Sequence, residues 1–311
     1  MVQQEITFRN KDMAWDIAAL MVTPDDFNPL NKYPAVVSVH PFGSCKEQTS
    51  SAIYGRALAD AGYVVIAYDA SFQGRSGGLP RFKEDPHQRV EDISHAIDYL
   101  VTLDFVDANR IASLGICGGG GYVFNSALTE KRIKAAIGVT PVNLGRLFRE
   151  DFSEFNPLGT LEAISQQRTA EALGAEGQVN ELLPPSLEFA KQNGLTERDV
   201  FEATEYYKTK RGQAEGGATR MLFSHAHKIL SWDAFAFAET LMTQPMMAIV
   251  GQKIGAFGAY RDGKAIYGKS FASADRQLVE LSEWSHYDLY DHPEAVALAM
   301  EQIIPFLAKH V

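Results

Sequence analysis

The stretch that decides the fold is IASLGICGGGG, residues 111–121. Its first four residues are apolar or small and predict a buried strand, and residues 122–128 predict a helix. Between them stands Gly115-x-Cys117-x-Gly119, the spacing of a tight strand-to-helix turn that presents a nucleophile. Ligands of α/β sheets bind at the carboxyl ends of the strands, where this turn lies. The stretch therefore predicts an α/β fold with a reactive thiol at Cys117.

The chemistry expected at Cys117 follows from this turn. A side chain at the start of a helix lies in its positive end, which favours a thiolate and a lowered pKa. The backbone N–H of Gly118 points toward the oxyanion that forms when a nucleophile attacks a carbonyl group. Two other interpretations stay open. One is a glycine-rich packing turn with an inert cysteine, and the other is a phosphate-binding loop, which lacks its usual lysine here.

On both sides of the turn, short apolar runs alternate with helical patterns. Strands are predicted at residues 35–39, 63–68, 133–139, 246–250 and 276–281, and helices at residues 53–61, 90–100 and 293–308. This alternation predicts a doubly wound, mostly parallel sheet with right-handed crossovers. The alternation breaks at residues 143–232, which lack comparable β-runs and are rich in helix formers. We therefore predict a core of residues 1–142 and 233–311 with a helical insertion at residues 143–232.

A thiol nucleophile needs a base, and the hydrolase order along the chain is nucleophile, acid, histidine. His286 follows the last predicted strand and precedes the C-terminal helix, where the fold brings a base back to the turn. We predict that His286 is the general base. His225 and His227 belong to the insertion and are candidates for the pocket lining. Trp232 is another, although its aromatic cluster also suits packing between insertion and core.

Composition restricts the partners. Among 311 residues, 29 Lys and Arg stand against 39 Asp and Glu, and the net charge of −10 disfavours nucleic acid and anionic membranes. The longest apolar runs are too short to span a bilayer and the N-terminal sequence lacks a secretory pattern, so we expect a cytoplasmic protein. Two cysteines make no disulfide framework, and no His, Cys or Asp grouping has metal-ligand spacing. We expect no metal and no other cofactor, and leave a homo-oligomer open.

Together these segments resemble the α/β-hydrolase superfamily, and within it the dienelactone-hydrolase-like branch. The resemblance covers nearly the whole predicted core and includes the oxyanion loop at residues 39–48, the Gly-rich turn at residues 67–78, a cysteine-bearing elbow at residues 114–121 and the ending HYDLYD at residues 286–291. It implies that the backbone N–H groups of Phe42 and Gly118 form the oxyanion hole. It also implies that the insertion forms a lid over the pocket. Some members of this group are linked to polyketide pathways as acyl transferases or thioesterase-like enzymes.

The sequence departs from this family at the acid. After the strand that ends at Val250, the family usually has Asp or Glu within a few residues, whereas this chain has no carboxylate before Asp262. Three alternatives stay open: Asp262 folds back to the histidine, Gln252 orients the imidazole through its amide oxygen, or there is no third member. A thiol tolerates the loss, because its reference pKa of about 8.5 is far below that of an alcohol.

The expected function is an acyl hydrolase. It acts on a small-molecule ester, lactone or thioester through a Cys117 acyl-enzyme, with His286 as general base and acid. The same Cys-His pair also suits an acyl transferase of polyketide type, since amines and carbanions intercept a thioester as readily as water does. A third alternative is a non-catalytic protein of hydrolase fold that binds a small molecule.

Overall fold

A single large sheet carries the predicted elbow. The computed structural model describes residues 2–9, 12–217 and 219–311. The sheet is built from β1 (Val2–Phe8), β2 (Ile17–Thr23), β3 (Tyr33–Val39), β4 (Val64–Tyr68), β5 (Val106–Ile116), β6 (Ile133–Val139), β9 (Met246–Lys253) and β10 (Arg276–Ser285). Its strand order is β1-β2-β4-β3-β5-β6-β9-β10. The pairs β1–β2 and β2–β4 are antiparallel, and every pair from β4–β3 to β9–β10 is parallel. The predicted mostly parallel sheet is confirmed.

Helices between the strands cover this sheet. They are α1 (Arg56–Asp60), which continues a π-helical turn over Thr49–Gly55, α2 (Pro86–Leu100), α3 (Gly118–Thr129), α10 (Ala259–Lys269), α11 (Asp288–Asp291) and α12 (Pro293–His310). The helix α3 packs on β5 and β6, and α10 packs on β9. Because helices cover the parallel strands, strands such as β3 and β6 are buried over most of their length and read as continuous apolar runs.

Two details differ from the sequence pattern. The antiparallel strands β1 and β2 lie outside the predicted runs; β1 is largely exposed and lacks a regular apolar alternation. Helix α3 begins at Gly118, not at Tyr122, so the four glycines that follow Cys117 form its first turn. Glycine is a poor helix former on its own, and tertiary packing overrides that propensity here.

The segment between β6 and β9 holds further helices and one small ribbon. It contains α4 (Leu144–Leu147), which continues into a π-helical turn over Phe148–Phe152, α5 (Pro157–Ala172), β7 (Val179–Glu181), α6 (Leu187–Gln192), α7 (Arg198–Lys208), β8 (Arg220–Leu222), α8 (His227–Leu230) and α9 (Ala238–Leu241). The antiparallel β7–β8 pair is too short to give a sequence signal. The division into core and insertion stays a prediction. Within the described ranges, no helix has both the length and the apolar character needed to cross a membrane.

Two glycines of the quoted stretch let β5, α3 and β3 approach closely. A Cβ added to Gly115 would overlap the carbonyl group of Gly119, and a Cβ added to Gly119 would overlap the carbonyl oxygen of Val39. These neighbours are backbone atoms, which cannot swing aside as the end of a flexible side chain does. Glycine is therefore required at both positions by packing.

We expect Gly119→Ala to lower the free energy of unfolding by about 3 kcal/mol, because the added methyl group overpacks a backbone contact. The matched control is Gly268→Ala in α10, where nothing lies within 4 Å of an added Cβ. That change should raise stability by about 0.5–1 kcal/mol, as alanine does in a helix. Urea unfolding of both variants measures the difference, and equal stabilities would show that the elbow accepts a side chain freely.

Candidate active site

Cys117 occupies the turn between β5 and α3. Its backbone has φ 55° and ψ −125°, a positive φ that residues other than glycine rarely adopt. The surrounding chain holds it there, since its N–H donates to the Val139 carbonyl at 3.0 Å and its carbonyl accepts from the Val142 N–H at 2.9 Å. Strain of this kind persists where neighbouring structure over-determines it. The side chain is thereby fixed at the carboxyl edge of the sheet.

Two backbone donors and a hydroxyl group face the sulfur of Cys117. Burial raises the pKa of its thiol to about 11, and the Tyr290 hydroxyl and the backbone N–H groups of Gly118 and Phe42 act against that rise. The two N–H groups thus converge where the sequence predicts an oxyanion hole. The lowered thiol pKa expected from the helix N-terminus is not found, because the loss of hydration outweighs the donors.

The loop that carries Phe42 is anchored by a buried arginine. The Arg89 guanidinium donates to the carbonyl oxygen of His40 at 2.8 Å. The His40 imidazole accepts a hydrogen bond from the backbone N–H of Ala70 at 3.1 Å. Burial, reinforced by the Arg89 charge, lowers the pKa of His40 well below its usual value, which keeps its ring neutral. The loop is therefore fixed on both sides, and the Phe42 N–H stays directed at Cys117.

His286 lies in the turn between β10 and α11 and is buried. Its Nδ1 is 3.0 Å from the Thr140 hydroxyl oxygen, whereas its Nε2 has no partner among the described residues. Burial lowers the pKa of His286 to about 3, so the imidazole is neutral at pH 7. Its ring packs on Tyr290 with 5.4 Å between ring centroids. A neutral imidazole with an unpartnered nitrogen is the form that accepts a proton as general base.

Neither residue proposed to orient the histidine contacts it. The Asp262 carboxylate accepts from Arg146 Nη2 at 2.8 Å and from the Asn143 N–H at 2.7 Å. It lies at the start of α10, where the buried guanidinium neutralises its charge. Gln252 donates through Nε2 to Glu280 at 2.7 Å on the exposed end of β9. The expectation that either one orients His286 is therefore corrected, and the Thr140 hydroxyl takes that position.

Sequence reasoning missed Thr140. It directly follows β6 at φ 44°, and its N–H donates to the Ile249 carbonyl at 2.6 Å. The available signal was a polar residue at the carboxyl end of a buried strand, next to the strand that ends in the elbow. Its distance from His286 along the chain gave no indication of the contact.

Asp199, near the start of helix α7, was also missed. Its Oδ2 accepts from the Phe257 N–H at 2.7 Å, and its buried Oδ1 has no partner in the described chain. Burial raises the pKa of this carboxyl to about 7 against the pull of that N–H. Its negative charge adds to the rise in the pKa of Cys117. A carboxyl from the insertion thus acts electrostatically on the thiol.

A small apolar cavity of about 30 Å³ lies in front of Cys117. It is lined by Phe42, Leu144, Leu147, Phe152, Leu182, Leu183, Tyr207, Thr219, Phe257, Tyr287 and Tyr290. This volume holds about two water molecules by the measure of roughly 10–15 Å³ per water. The wall is built largely from residues of the segment between β6 and β9.

The three residues of the insertion proposed for the pocket lie elsewhere. His225 is 3.2 Å from the Ser224 hydroxyl, and His227 is 3.1 Å from the Ser224 carbonyl. Trp232 is buried against the Tyr122 ring, with 5.1 Å between centroids. None of the three is among the described residues that line the cavity. Trp232 therefore packs against the core, as the alternative to a place in the pocket predicted.

A second cluster of polar groups combines two residues of the loop at residues 39–48 with one that follows β4. The Cys45 sulfur and carboxylate oxygens of Glu47 and Asp69 are within 4.8 Å of one another, as metal ligands would be. The Lys46 ammonium donates to Glu47 at 2.6 Å and to Asp69 at 2.8 Å. The negative charges of this cluster are therefore compensated by a buried lysine of the chain itself.

The parallel sheet, the strained cysteine turn after β5 and the buried histidine after β10 define an α/β-hydrolase enzyme. The chain belongs to the family of the uncharacterised protein YcjY of Escherichia coli K12, to which it is 35% identical over 98% of both chains. The crystal structure of the hypothetical protein PA2218 of Pseudomonas aeruginosa has a TM-score of 0.87 and 26% identity, covering 100% of this chain and 94% of that one. The α/β-hydrolase GrgF of Penicillium sp. sh18 shares the fold, with a TM-score of 0.76 and 18% identity over 100% and 99% of the two chains.

Three shorter or coarser matches describe activities of relatives. Residues 26–154 match the family described as PETase, PET hydrolase-like. A thiohydrolase of Eupenicillium brefeldianum is 32% identical over 37% of each chain. The acyltransferase drtE of Aspergillus calidoustus is 28% identical over 48% of this chain and 47% of its own.

The raised pKa of Cys117 determines how the thiol reacts. We expect its alkylation by iodoacetamide to accelerate about tenfold per pH unit between pH 7 and 10 without a plateau, because the thiolate fraction rises until the pH passes the thiol pKa. The Cys45→Ser variant isolates the signal, and mass spectrometry locates the adduct. A plateau below pH 8.5 would instead reveal a preformed thiolate–imidazolium pair.

The role of Asp262 in the buried ion pair with Arg146 can be tested by the stability and the activity of a variant. We expect Asp262→Asn to lower the free energy of unfolding by about 3 kcal/mol, since the buried Arg146 guanidinium loses its shortest carboxylate contact and keeps only Glu150 and Asp151 at 3.4 and 3.6 Å. The exposed Arg261–Glu150 pair is the control, and Arg261→Ala should cost less than about 1 kcal/mol. At a temperature where Asp262→Asn is folded, its kcat should match the wild type. A loss of about 10⁴-fold, typical for the orienting carboxylate of a triad, would restore Asp262 as the acid.

Proposed function

We propose that this chain is a cysteine acyl hydrolase of the dienelactone-hydrolase-like branch, acting on esters, lactones or thioesters. The observation that carries the proposal is the convergence of the Phe42 and Gly118 N–H groups on the sulfur of Cys117. The neutral His286 packs on Tyr290, whose hydroxyl faces the same sulfur. Donors aimed at one point are the means by which acyl-transfer enzymes stabilise a tetrahedral intermediate. The thiohydrolase and PET hydrolase-like matches agree with this chemistry.

The reaction runs in two halves. The Cys117 sulfur forms a bond to the acyl carbon while its proton passes to Nε2 of His286, and the carbonyl oxygen takes the negative charge between the two N–H groups. The bond to the leaving oxygen or sulfur then breaks, and the imidazolium returns the proton to that atom. Water attacks the thioester by the same route in reverse, releasing the acid and the free thiol.

The Thr140 contact favours a thiol nucleophile over an alcohol. A hydroxyl group orients the His286 ring but supplies no negative charge to an imidazolium. A serine hydrolase relies on a carboxylate for that purpose, since its alcohol gives up a proton reluctantly. A thiol is far more acidic, even when burial raises its pKa, so the neutral orienter is sufficient. The acid that this chain lacks and the cysteine that it carries at the elbow are thus two parts of one adaptation.

We infer that residues 143–232 act as the lid. Leu182, Leu183 and Tyr207 belong to this segment and line the cavity, and Asp199 docks the segment on the Phe257 N–H. Entry of an acyl group therefore requires this wall to move. When the wall closes again, the small apolar cavity leaves little room for water.

Acyl transfer is the second candidate, and the small, largely apolar cavity favours it. A thioester shielded from water survives long enough for an amine or carbanion to intercept it. The acyltransferase match is consistent with this route. Turnover of an acyl thioester that does not change with any acceptor would remove the transferase alternative.

The Cys117→Ser and His286→Ala variants test the mechanism. We expect Cys117→Ser to lose at least about 10³-fold in kcat, as much as Cys117→Ala, because the Thr140-bound imidazole cannot activate an alcohol. We expect His286→Ala to retain the fold and lose a similar factor. Hydrolysis of p-nitrophenyl butyrate gives the rates, and intact-protein mass spectrometry detects the acyl-enzyme. Activity retained in Cys117→Ala, or an acyl adduct elsewhere, would contradict the proposal and leave the non-catalytic binding protein as the alternative.

A further inference from the structure

Several buried polar atoms around Cys117 have no hydrogen-bond partner in the described chain. They are the hydroxyl oxygens of Tyr207 and Tyr290, Nε2 of His286 and Oδ1 of Asp199. A buried polar atom without a partner is costly, and native proteins keep few of them. The proposed mechanism uses only the histidine nitrogen. The two tyrosine hydroxyls therefore need another explanation.

The two hydroxyls belong to the wall of the cavity. Tyr207 and Tyr290 both line it together with Cys117, and both are almost completely buried. The hydroxyl of Tyr290 lies beside the Cys117 sulfur and near the hydroxyls of Tyr207 and Tyr287, and the Tyr207 hydroxyl also lies near Ser44. None of these neighbours stands in a geometry that completes a hydrogen bond with the hydroxyl of Tyr207 or Tyr290. Burial also raises the pKa of both phenols well above the ordinary value, so both remain hydroxyl donors at neutral pH. Most of the remaining lining is leucine and phenylalanine.

We propose that Tyr207 and Tyr290 form a subsite for a second oxygen of the acyl group, so that the preferred substrates carry a hydroxyl or keto oxygen within two or three carbons of the reacting carbonyl. This inference rests on the proposed acyl-enzyme function and names its substrate class. The first carbonyl oxygen is already served by the N–H groups of Phe42 and Gly118. A donor pair beside the sulfur reaches the next positions of an acyl chain bound there. The leucine and phenylalanine side chains then contact the rest of the chain.

Stability gives the first test, because a ligand-binding hydroxyl is unpaired in the free protein. We expect Tyr207→Phe and Tyr290→Phe to keep or raise the Tm, since each removes an unsatisfied buried hydroxyl. Tyr54→Phe is the matched control: the Tyr54 hydroxyl is equally buried but donates to the Leu289 carbonyl at 2.7 Å. Its loss should lower the Tm. A Tm that falls in all three variants would show that the cavity hydroxyls are already paired, and would overturn the proposal.

Substrate preference gives the second test. The probes are the N-acetylcysteamine thioesters of 3-hydroxybutyrate and butyrate, which differ in a single oxygen. We expect the wild type to acylate Cys117 at least about tenfold faster with the hydroxylated probe, a difference of about 1.4 kcal/mol, and this preference to vanish in both tyrosine variants. Tyr54→Phe should retain it. Rates come from intact-protein mass spectrometry of the acyl-enzyme in single turnovers.

The outcomes of these experiments distinguish the tyrosine subsite from the proposed acyl-enzyme function on which it rests. Equal acylation of the wild type by both probes leaves the acyl-enzyme intact and overturns the subsite. An equal loss on both probes in Tyr290→Phe also overturns it, and makes that hydroxyl a third donor to the oxyanion. Acylation by neither probe, with Cys117 still open to iodoacetamide, refutes the proposed function and the subsite with it.

Discussion

The geometry of the site depends on one backbone constraint, the positive φ of Cys117 at the end of β5. A residue in that conformation directs its side chain out of the sheet and its following N–H groups toward the same side. The conformation is held by hydrogen bonds to Val139, the last residue of β6, and to Val142 in the segment that follows it. It is also held by the close contact of Gly115 with Gly119, which brings α3 directly onto the strand. The Cys117 side chain, the Gly118 N–H and the start of α3 are therefore set by the same few bonds.

Burial determines whether the Cys117 thiol and the His286 imidazole are charged. The thiol and the imidazole are both enclosed by apolar groups, and loss of hydration disfavours the charged form of each. The pKa of Cys117 rises to about 11 and that of His286 falls to about 3, so the resting pair is neutral. In the reaction that we propose, this neutral pair develops charge only as the sulfur attacks. The fixed donors of Phe42 and Gly118 meet that charge as it forms, without the reorganisation that water would need.

Local patterns predicted the parts of the site that lie on one strand or turn. The spacing of Gly115, Cys117 and Gly119 is short-range, and so is the order of apolar runs that predicted the parallel sheet. Thr140 and Asp199 could not be found in this way. Each meets the site through a contact far away along the chain, and a single threonine or aspartate has no distinguishing neighbours in sequence. The missing acid after β9 was visible, but what replaces it depends on how β6 and α7 pack.

Helix α7 binds the loop in which the family usually carries its acid. The loop after β9, where the family usually carries its carboxylate, is bound by the start of this helix. Glu197 accepts from the Ala256 N–H at 2.8 Å, and Asp199 accepts from the Phe257 N–H at 2.7 Å. The same helix ends near Tyr207, whose hydroxyl lies in the cavity wall. Detaching α7 from the loop would therefore open the wall and withdraw both the carboxyl and the phenol from the neighbourhood of Cys117. One helix thus carries both the carboxyl that acts on the Cys117 thiol and a phenol of the cavity wall.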